Sequence, residues 1–296
     1  MARPMKRALG ETPAAWAFVL PATLLILGLS LLPMVWSLLL SFTDSDLVTS
    51  GRWVGMDNYE RLLDDPAFRQ SIRNTLIFTA LYVPGSAGLG LLIAMALNRP
   101  RTKLIGIYRT CVIVPFVVSP AATGVLFAFI CDARFGVANR ILSAFGIPRQ
   151  GFLEDPNTAL YTLTGIGLWG GTGFCVIIFL AALQDIPPSL VEAARIDGAG
   201  RWNIFRHVTL PSVRPVTTFV VIWQSLVAMQ LFDLVYATTR GGPLGSTAVV
   251  VYFIYNQAFK VFDAGYGAAA AYVLAVVLLA LGGVRYLLTR ARRRFA

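Results

Sequence analysis

Six stretches of this chain run without a single Asp, Glu, Lys or Arg for long enough to cross, or nearly cross, a bilayer. They are Thr12–Thr43, Asn74–Asn98, Thr110–Cys131, Pro156–Gln184, Pro215–Phe232 and Ala264–Val284. A helix rises about 1.5 Å per residue, so about 20 residues span the hydrocarbon. Only 14% of the 296 residues are charged, and the mean hydropathy of +0.68 lies well above that of soluble domains. The reading is an all-α polytopic membrane protein with six transmembrane helices. A seventh uncharged run, Gly241–Phe259, opens on Gly-Gly-Pro and carries Ser246, Thr247, Asn256 and Gln257, so it is left outside the count. The segments between the stretches are too short for a soluble catalytic domain of ordinary size.

Charge sets the orientation. If compartments alternate, the side holding both termini collects sixteen of the twenty-five Lys and Arg residues. By the positive-inside bias both termini are cytoplasmic. The acidic residues Asp44, Asp46, Asp57, Glu60, Asp64, Asp65, Asp132, Glu154, Asp155 and Asp263 fall on the opposite side. A seventh span would put Arg290, Arg292, Arg293 and Arg294 outside, against the same bias. The start Arg3, Lys6, Arg7 precedes an apolar run much longer than a signal peptide's, and it reads as a retained first helix. The net charge of +10 has no basic stripe interleaved with aromatics, so membrane anchoring rather than nucleic acid accounts for it.

This pattern divides the chain into a cytoplasmic N-terminus (1–14), a six-helix domain (15–288) and a basic cytoplasmic tail (289–296). The outer loops cover 43–72, 132–157 and 237–263, and the long inner segment covers 185–214. Within the second outer loop, Phe135-Gly-Val-Ala-Asn139 and Gly146-Ile-Pro148 read as short helices joined by turns. Cys111, Cys131 and Cys175 have no metal-ligand or redox spacing and read as small packing residues; His207, the only histidine, reads as an interfacial residue rather than a catalyst.

The inner segment differs in character. Ser189 is a candidate N-cap, and Glu192 three residues on would complete a capping box. The short helix that follows can stop at Gly198 through a left-handed residue. A second amphipathic helix, Arg201–Val208, would then lead through Leu210-Pro211 into the fifth span. Ala193 and Ala194 permit close approach, while Glu192 and Arg195 stay exposed, which makes a knob for a soluble partner.

The spacing of Glu192-Ala193-Ala194, Gly198 and Val208-Thr-Leu210-Pro211 resembles the EAA loop of binding-protein-dependent ABC importer permeases, with Val208 where that pattern usually has isoleucine. Further stretches narrow the resemblance to carbohydrate permeases of the maltose, oligosaccharide and glycerol-3-phosphate group. They are Gly55-Met-Asp-Asn-Tyr59, Asn74-Thr75, Tyr108-Arg109 before Pro115, Leu180–Pro187 and Thr239-Arg-Gly-Gly-Pro243. The resemblance implies the type I importer permease (MetI-like) fold in a bacterial cytoplasmic membrane. It also implies an unlike second permease, two ATP-binding-cassette ATPase subunits and an extracytoplasmic solute-binding protein. Glu192, Ala193, Ala194, Arg195, Asp197, Gly198, Leu210 and Pro211 would then couple to the ATPase. Arg240, Gly241, Gly242 and Pro243 would lie where the binding protein docks; a plain Gly-Pro turn is the other reading.

No P-loop sequence occurs, so the chain itself is expected to bind no cofactor, and ATP and Mg belong on the partner ATPases. Transport needs a polar path, and polar groups in the bilayer are costly unless they face a cavity. Gln224, Gln230 and Asp233 are spaced to share one face of the fifth span, and Trp169, Trp223, Phe232 and Tyr236 offer faces for sugar rings. Bonds to the second permease are the alternative role for Gln224, Gln230 and Asp233. Around Thr172, the run Trp169-Gly-Gly-Thr-Gly-Phe174 would interrupt a helix and free carbonyls, or else permit close helix packing. The expected cargo is a sugar, with glycerol-3-phosphate or a glycerophosphodiester as the alternative. No span carries an internal Arg or Lys to meet a phosphate. An ion-coupled secondary transporter is the rival from another class. It would usually offer buried titratable groups, and here Asp233 stands nearly alone.

Overall fold

The computed structural model describes residues 8–46, 48, 51–98 and 104–294. Arg3, Lys6, Arg7, Arg99, Arg101 and Lys103 lie outside them, as do the last two residues of the tail. Helices account for almost all the regular structure; among the described residues the extended pairing is a single bridge, Thr43 with Trp53. In chain order the helices are α1 (Ala8–Ile26), α2 (Leu32–Leu40), α3 (Asp57–Asp64), α4 (Pro66–Leu97), α5 (Ile105–Val117), α6 (Pro120–Ile130) and α7 (Val137–Ala144). There follow α8 (Ala159–Gln184), α9 (Pro188–Ile196), α10 (Arg201–Ile204), α11 (Leu210–Met229), α12 (Asp233–Ala237), α13 (Val250–Tyr255) and α14 (Ala264–Arg294). Wide π-turns join α1 to α2 and α10 to α11, and another follows α13.

Each of the six uncharged stretches meets helix. Among the described residues, four helices are long and apolar enough to cross a membrane: Trp16–Leu40, α4, α8 and Arg201–Met229. Apolar helix also covers Ala264–Ala280, the first part of α14. The third stretch departs from the expected straight span, because α5 and α6 meet at 99°. Pro120 accounts for the break: its ring disfavours helical backbone at the preceding residue, and Ser119 sits extended at φ −55°, ψ 135°. The stretch left out of the count, 241–259, is loop followed by α13 and a π-turn.

The chain divides into two compact units, residues 1–64 with 254–276 and residues 65–253 with 277–296. In the first, α3 carries Asp57 and Glu60 at its N-terminus and Arg61 in its last turn, the arrangement its dipole favours. Buried Asn58 donates to the carbonyls of Ser41 and Thr43 at 3.0 and 2.9 Å. Arg61 pairs with Asp263 at 2.7 Å and lies 4.0 Å over the ring of Tyr266. The Trp16–Leu40 window buries none of its side chains, leaving an apolar surface for lipid or another chain.

In the second unit α4 begins at Asp65, whose carboxylate accepts the N–H groups of Ala67 and Phe68 ahead of a first-turn proline. Its core joins α4, α8 and α11 through Ala87, Ala94, Cys175, Val176, Phe179, Val213 and Val220. Lipid is as apolar as such a core, so these helices are held by close packing rather than by escape from water. A Cβ on Gly90 would lie 2.4 Å from the Cβ of Cys175, so glycine is what lets α4 and α8 meet.

Candidate functional site

The inner loop takes its shape from proline at one end and glycine at the other. Pro188 occupies the first turn of α9, and no side chain caps that helix start. The expected capping box of Ser189 and Glu192 is therefore not formed: the helix begins two residues earlier, at Pro188, where proline's missing N–H costs nothing. At the other end Gly198 adopts φ +79°. Its N–H bonds Arg195 O at 3.0 Å and that of Ala199 bonds Ala194 O at 2.9 Å, the paired bonds of a Schellman ending. Glu192, Ala193, Arg195, Asp197 and Gly198 are exposed and Ala194 is half-buried. Glu192 and Arg195 also line a groove of about 310 Å³ with Asn98, Val191 and Thr209. Two apolar side chains stand out here, Ile196 at 85% and Trp202 at 68% exposure.

The second inner helix is not separate. α10 runs through the π-turn Phe205–Thr209 directly into α11, making one helix from Arg201 to Met229. The Leu210 N–H reaches five residues back to Phe205 O. That widened turn lets Pro211 sit within a continuous helix, where an ordinary turn would press its ring on the carbonyl four residues earlier. Leu210 and Pro211 are exposed. His207 is exposed too, its Nδ1 3.1 Å from Asn203 O.

Between α4, the α5–α6 bend, α8 and α11 lies a cavity of about 320 Å³. Phe78, Tyr82, Phe116, Phe174, Trp223 and Gln224 are among its walls, and none of its lining residues is charged. Phe78 stacks on Tyr82 at 5.2 Å, and Phe174 stacks on Trp223 at 5.8 Å. Buried Gln224 donates to Tyr82 Oη at 3.3 Å and Cys175 Sγ at 3.1 Å. Both amide hydrogens are thus directed within the chain, which fixes the side chain at the wall.

Of the pathway residues expected from the sequence, Trp223 and Gln224 are in that wall and the others are elsewhere. Gln230 and Asp233 do not continue its helix face: α11 ends at Met229 and the chain restarts at Asp233 as α12. Asp233 thereby places a carboxylate at a helix N-terminus, where the dipole favours it. Gln230, Asp233 and Tyr236 are exposed, and Tyr236 stacks on Phe232 at 5.4 Å. Trp169 is half-exposed and meets Phe127 in a T-shaped contact, while the buried Thr172 hydroxyl bonds Leu168 O at 2.6 Å. Gly170, Gly171 and Gly173 do not interrupt α8, which runs unbroken. Packing explains two of them: a Cβ on Gly171 would stand 2.1 Å from Tyr82 Oη, and one on Gly173 would stand 2.9 Å from Phe116 Cβ.

On the outer loop, Arg240 is exposed at φ +50°, Gly241 is buried at φ +81°, and Gly242 and Pro243 are half-buried. A side chain on Gly241 would meet the Tyr252 ring at 2.7 Å. Burial raises the Tyr252 phenol above its usual pKa, with the nearby Arg240 charge opposing. Thr247 donates to Gly242 O at 2.6 Å, so the Thr239 hydroxyl, 2.7 Å away, donates to Thr247. Leu244, at φ +52°, is 95% exposed at the tip.

Sequence reasoning quoted Asn74 and Thr75 without giving them a role. Asn74 donates to Gly245 O and Ala248 O, both at 2.9 Å, and the Thr75 hydroxyl accepts from Val250 N at 3.0 Å. Their signal was two polar residues at the start of an apolar stretch. Tyr82 and Phe116 were missed as cavity residues because aromatic residues in apolar stretches carry no marker of which face they take.

Residues 86–294 match the family model of the binding-protein-dependent transport system inner membrane component. The chain is 36% identical over 284 residues to the lactose transport system permease protein LacF of Rhizobium radiobacter, covering 94% of each. It is 35% identical over 239 residues to the sn-glycerol-3-phosphate transport system permease protein UgpA of Agrobacterium fabrum, covering 80% of each. Its fold aligns at a TM-score of 0.83 and 24% identity, over 98% of both chains, with a chain from the crystal structure of a bacterial ABC transporter involved in the import of the acidic polysaccharide alginate.

Proposed function

Because this chain belongs to the family of binding-protein-dependent transport system inner membrane components, we propose that it is the sugar-translocating permease subunit of an ABC importer. It works with an unlike second permease, two ATPase subunits and an extracytoplasmic binding protein, with both termini in the cytoplasm. ATP and Mg are held by the ATPases, and this chain holds neither.

The observation that carries the coupling role is α9 with its Gly198 turn, an exposed knob bearing Glu192 and Arg195 outside the spans. ATPase closure moves this knob, and the continuous helix from Arg201 to Met229 carries the movement toward the cavity wall at Trp223 and Gln224. Alternating access follows if nucleotide and solute-loaded binding protein each favour one of two arrangements of that wall. The outer loop around Arg240, Gly241, Gly242 and Pro243 meets the binding protein.

The uncharged cavity, walled by aromatic rings with the Gln224 amide and the Tyr82 hydroxyl, suits a neutral sugar. A phosphate would call for cations that this wall does not have. Gln230, Asp233, Tyr236 and Trp169 are assigned to the outer approach, and Thr172 to the packing behind the wall.

In proteoliposomes holding the whole assembly, uptake of the binding protein's sugar should require ATP, and Glu192→Lys should abolish it while the subunits still assemble. Undiminished uptake by that variant would refute the coupling role, and uptake on an ion gradient alone would favour a secondary transporter.

A further inference from the structure

Arg109, in the second turn of α5, has no place in the transport scheme above, and its surroundings are unusual for a cation. Its Nη2 reaches Leu97 O, in the last turn of α4, at 3.4 Å, and its Nε is buried without a hydrogen-bond partner. Neither the Arg52–Asp44 nor the Arg61–Asp263 ion pair includes Arg109. A buried donor left unmatched on a charged group is costly, so the guanidinium is set for an anion that comes from outside this chain.

The groove beside it gives that anion its character. It holds about 180 Å³ and is lined by Arg109, Gln184 and Leu97 together with Ile113, Ile177 and Leu180. The seven steps from Ile177 to Gln184 rise about 10 Å along α8, so the groove is polar at the membrane boundary and apolar going inward. One compact anion would leave most of that wall unused. A headgroup phosphate continued by an acyl chain matches both ends. In the sequence, Arg99, Arg101 and Lys103 fall in the segment between α4 and α5. Basic pockets between spans at a cytoplasmic face favour acidic lipid headgroups.

We propose that the groove bounded by Arg109 and Gln184 at the cytoplasmic ends of α4, α5 and α8 is a binding site for an anionic phospholipid, with the guanidinium on its phosphate. The inference rests on the orientation adopted above, and on neither the cargo nor the coupling loop.

The test uses the assembled transporter in nanodiscs of phosphatidylcholine with a fixed fraction of phosphatidylglycerol. Native mass spectrometry should find one phosphatidylglycerol fewer retained on the Arg109→Gln assembly than on the natural one, and inorganic phosphate should not displace it. Equal retention, or displacement by phosphate alone, would overturn the proposal. So would a structure of the assembly in which a carboxylate of the second permease pairs with Arg109. Should Arg109→Gln not assemble, a fluorophore on Ile177→Cys in an otherwise natural groove decides the matter. Brominated phosphatidylglycerol should quench it as though enriched about fivefold over brominated phosphatidylcholine, the factor expected of one basic side chain at a membrane surface. Equal quenching by the two lipids contradicts the site. Sugar uptake is not read in either arm, so failure here leaves the transport reading standing.

Discussion

The loop from α8 to α10 and the loop from α12 to α13 use the same turn chemistry and are held in opposite ways. Both bend through left-handed residues, Gly198 in the first and Arg240, Gly241, Leu244 and Gly245 in the second, and both expose apolar side chains. The outer loop is laced by side chains: Asn74 holds two of its carbonyls, Thr75 holds Val250, and Thr239 and Thr247 close a chain of hydroxyls onto Gly242. The inner loop relies on the backbone bonds that end α9, with an uncapped helix start. A surface laced from within keeps its shape alone. One that presents Ile196 and Trp202 without such ties suits the proposed coupling role, in which a partner would complete it.

The largest expected effect is at Gly198. Proline there fixes φ near −65° where +79° is needed, so Gly198→Pro should remove ATP-driven uptake while binding-protein docking, measured separately, survives. Loss of both would erase the distinction between the loops. At the outer loop, Asn74→Ala leaves two carbonyls unmatched at a cost of about 1–3 kcal/mol. Hydrogen exchange over 239–249 should accelerate and binding-protein stimulation of ATPase activity should fall, with basal ATPase activity unchanged; unaltered exchange would show that the lacing is incidental. Smallest is Ser189→Ala. Because Pro188 rather than Ser189 starts α9, stability should change by less than about 0.5 kcal/mol. A loss near 1 kcal/mol in thermal unfolding would restore the capping box.

Much of this architecture was legible in the residues. Uncharged stretches marked the helices, Gly198 marked the end of α9, and the Gly-Gly-Pro run marked a loop rather than a span. What escaped depended on neighbours distant in the chain or on local backbone conflicts. Pro115 and Pro120 both lay in view, but an uncharged length of 22 residues outweighed them, and the 99° bend went unread. Helix periodicity carried Gln230 and Asp233 onto the Gln224 face because nothing in it records that α11 stops at Met229. For the α8 glycines the residues left interruption and close packing both open, and Tyr82 and Phe116 supply the atoms two of them make room for. The groove beside Arg109 was invisible for the same reason, since its walls come from three helices.

The central claim is that the α9 knob meets the ATPase from the cytoplasm. Ala193→Cys, in a chain with Cys111, Cys131 and Cys175 replaced, tests it through labelling by a membrane-impermeant thiol reagent. The account predicts labelling from the cytoplasmic side alone and protection once the ATPase subunits are bound. Labelling from the outside, or labelling indifferent to the ATPase, would contradict it.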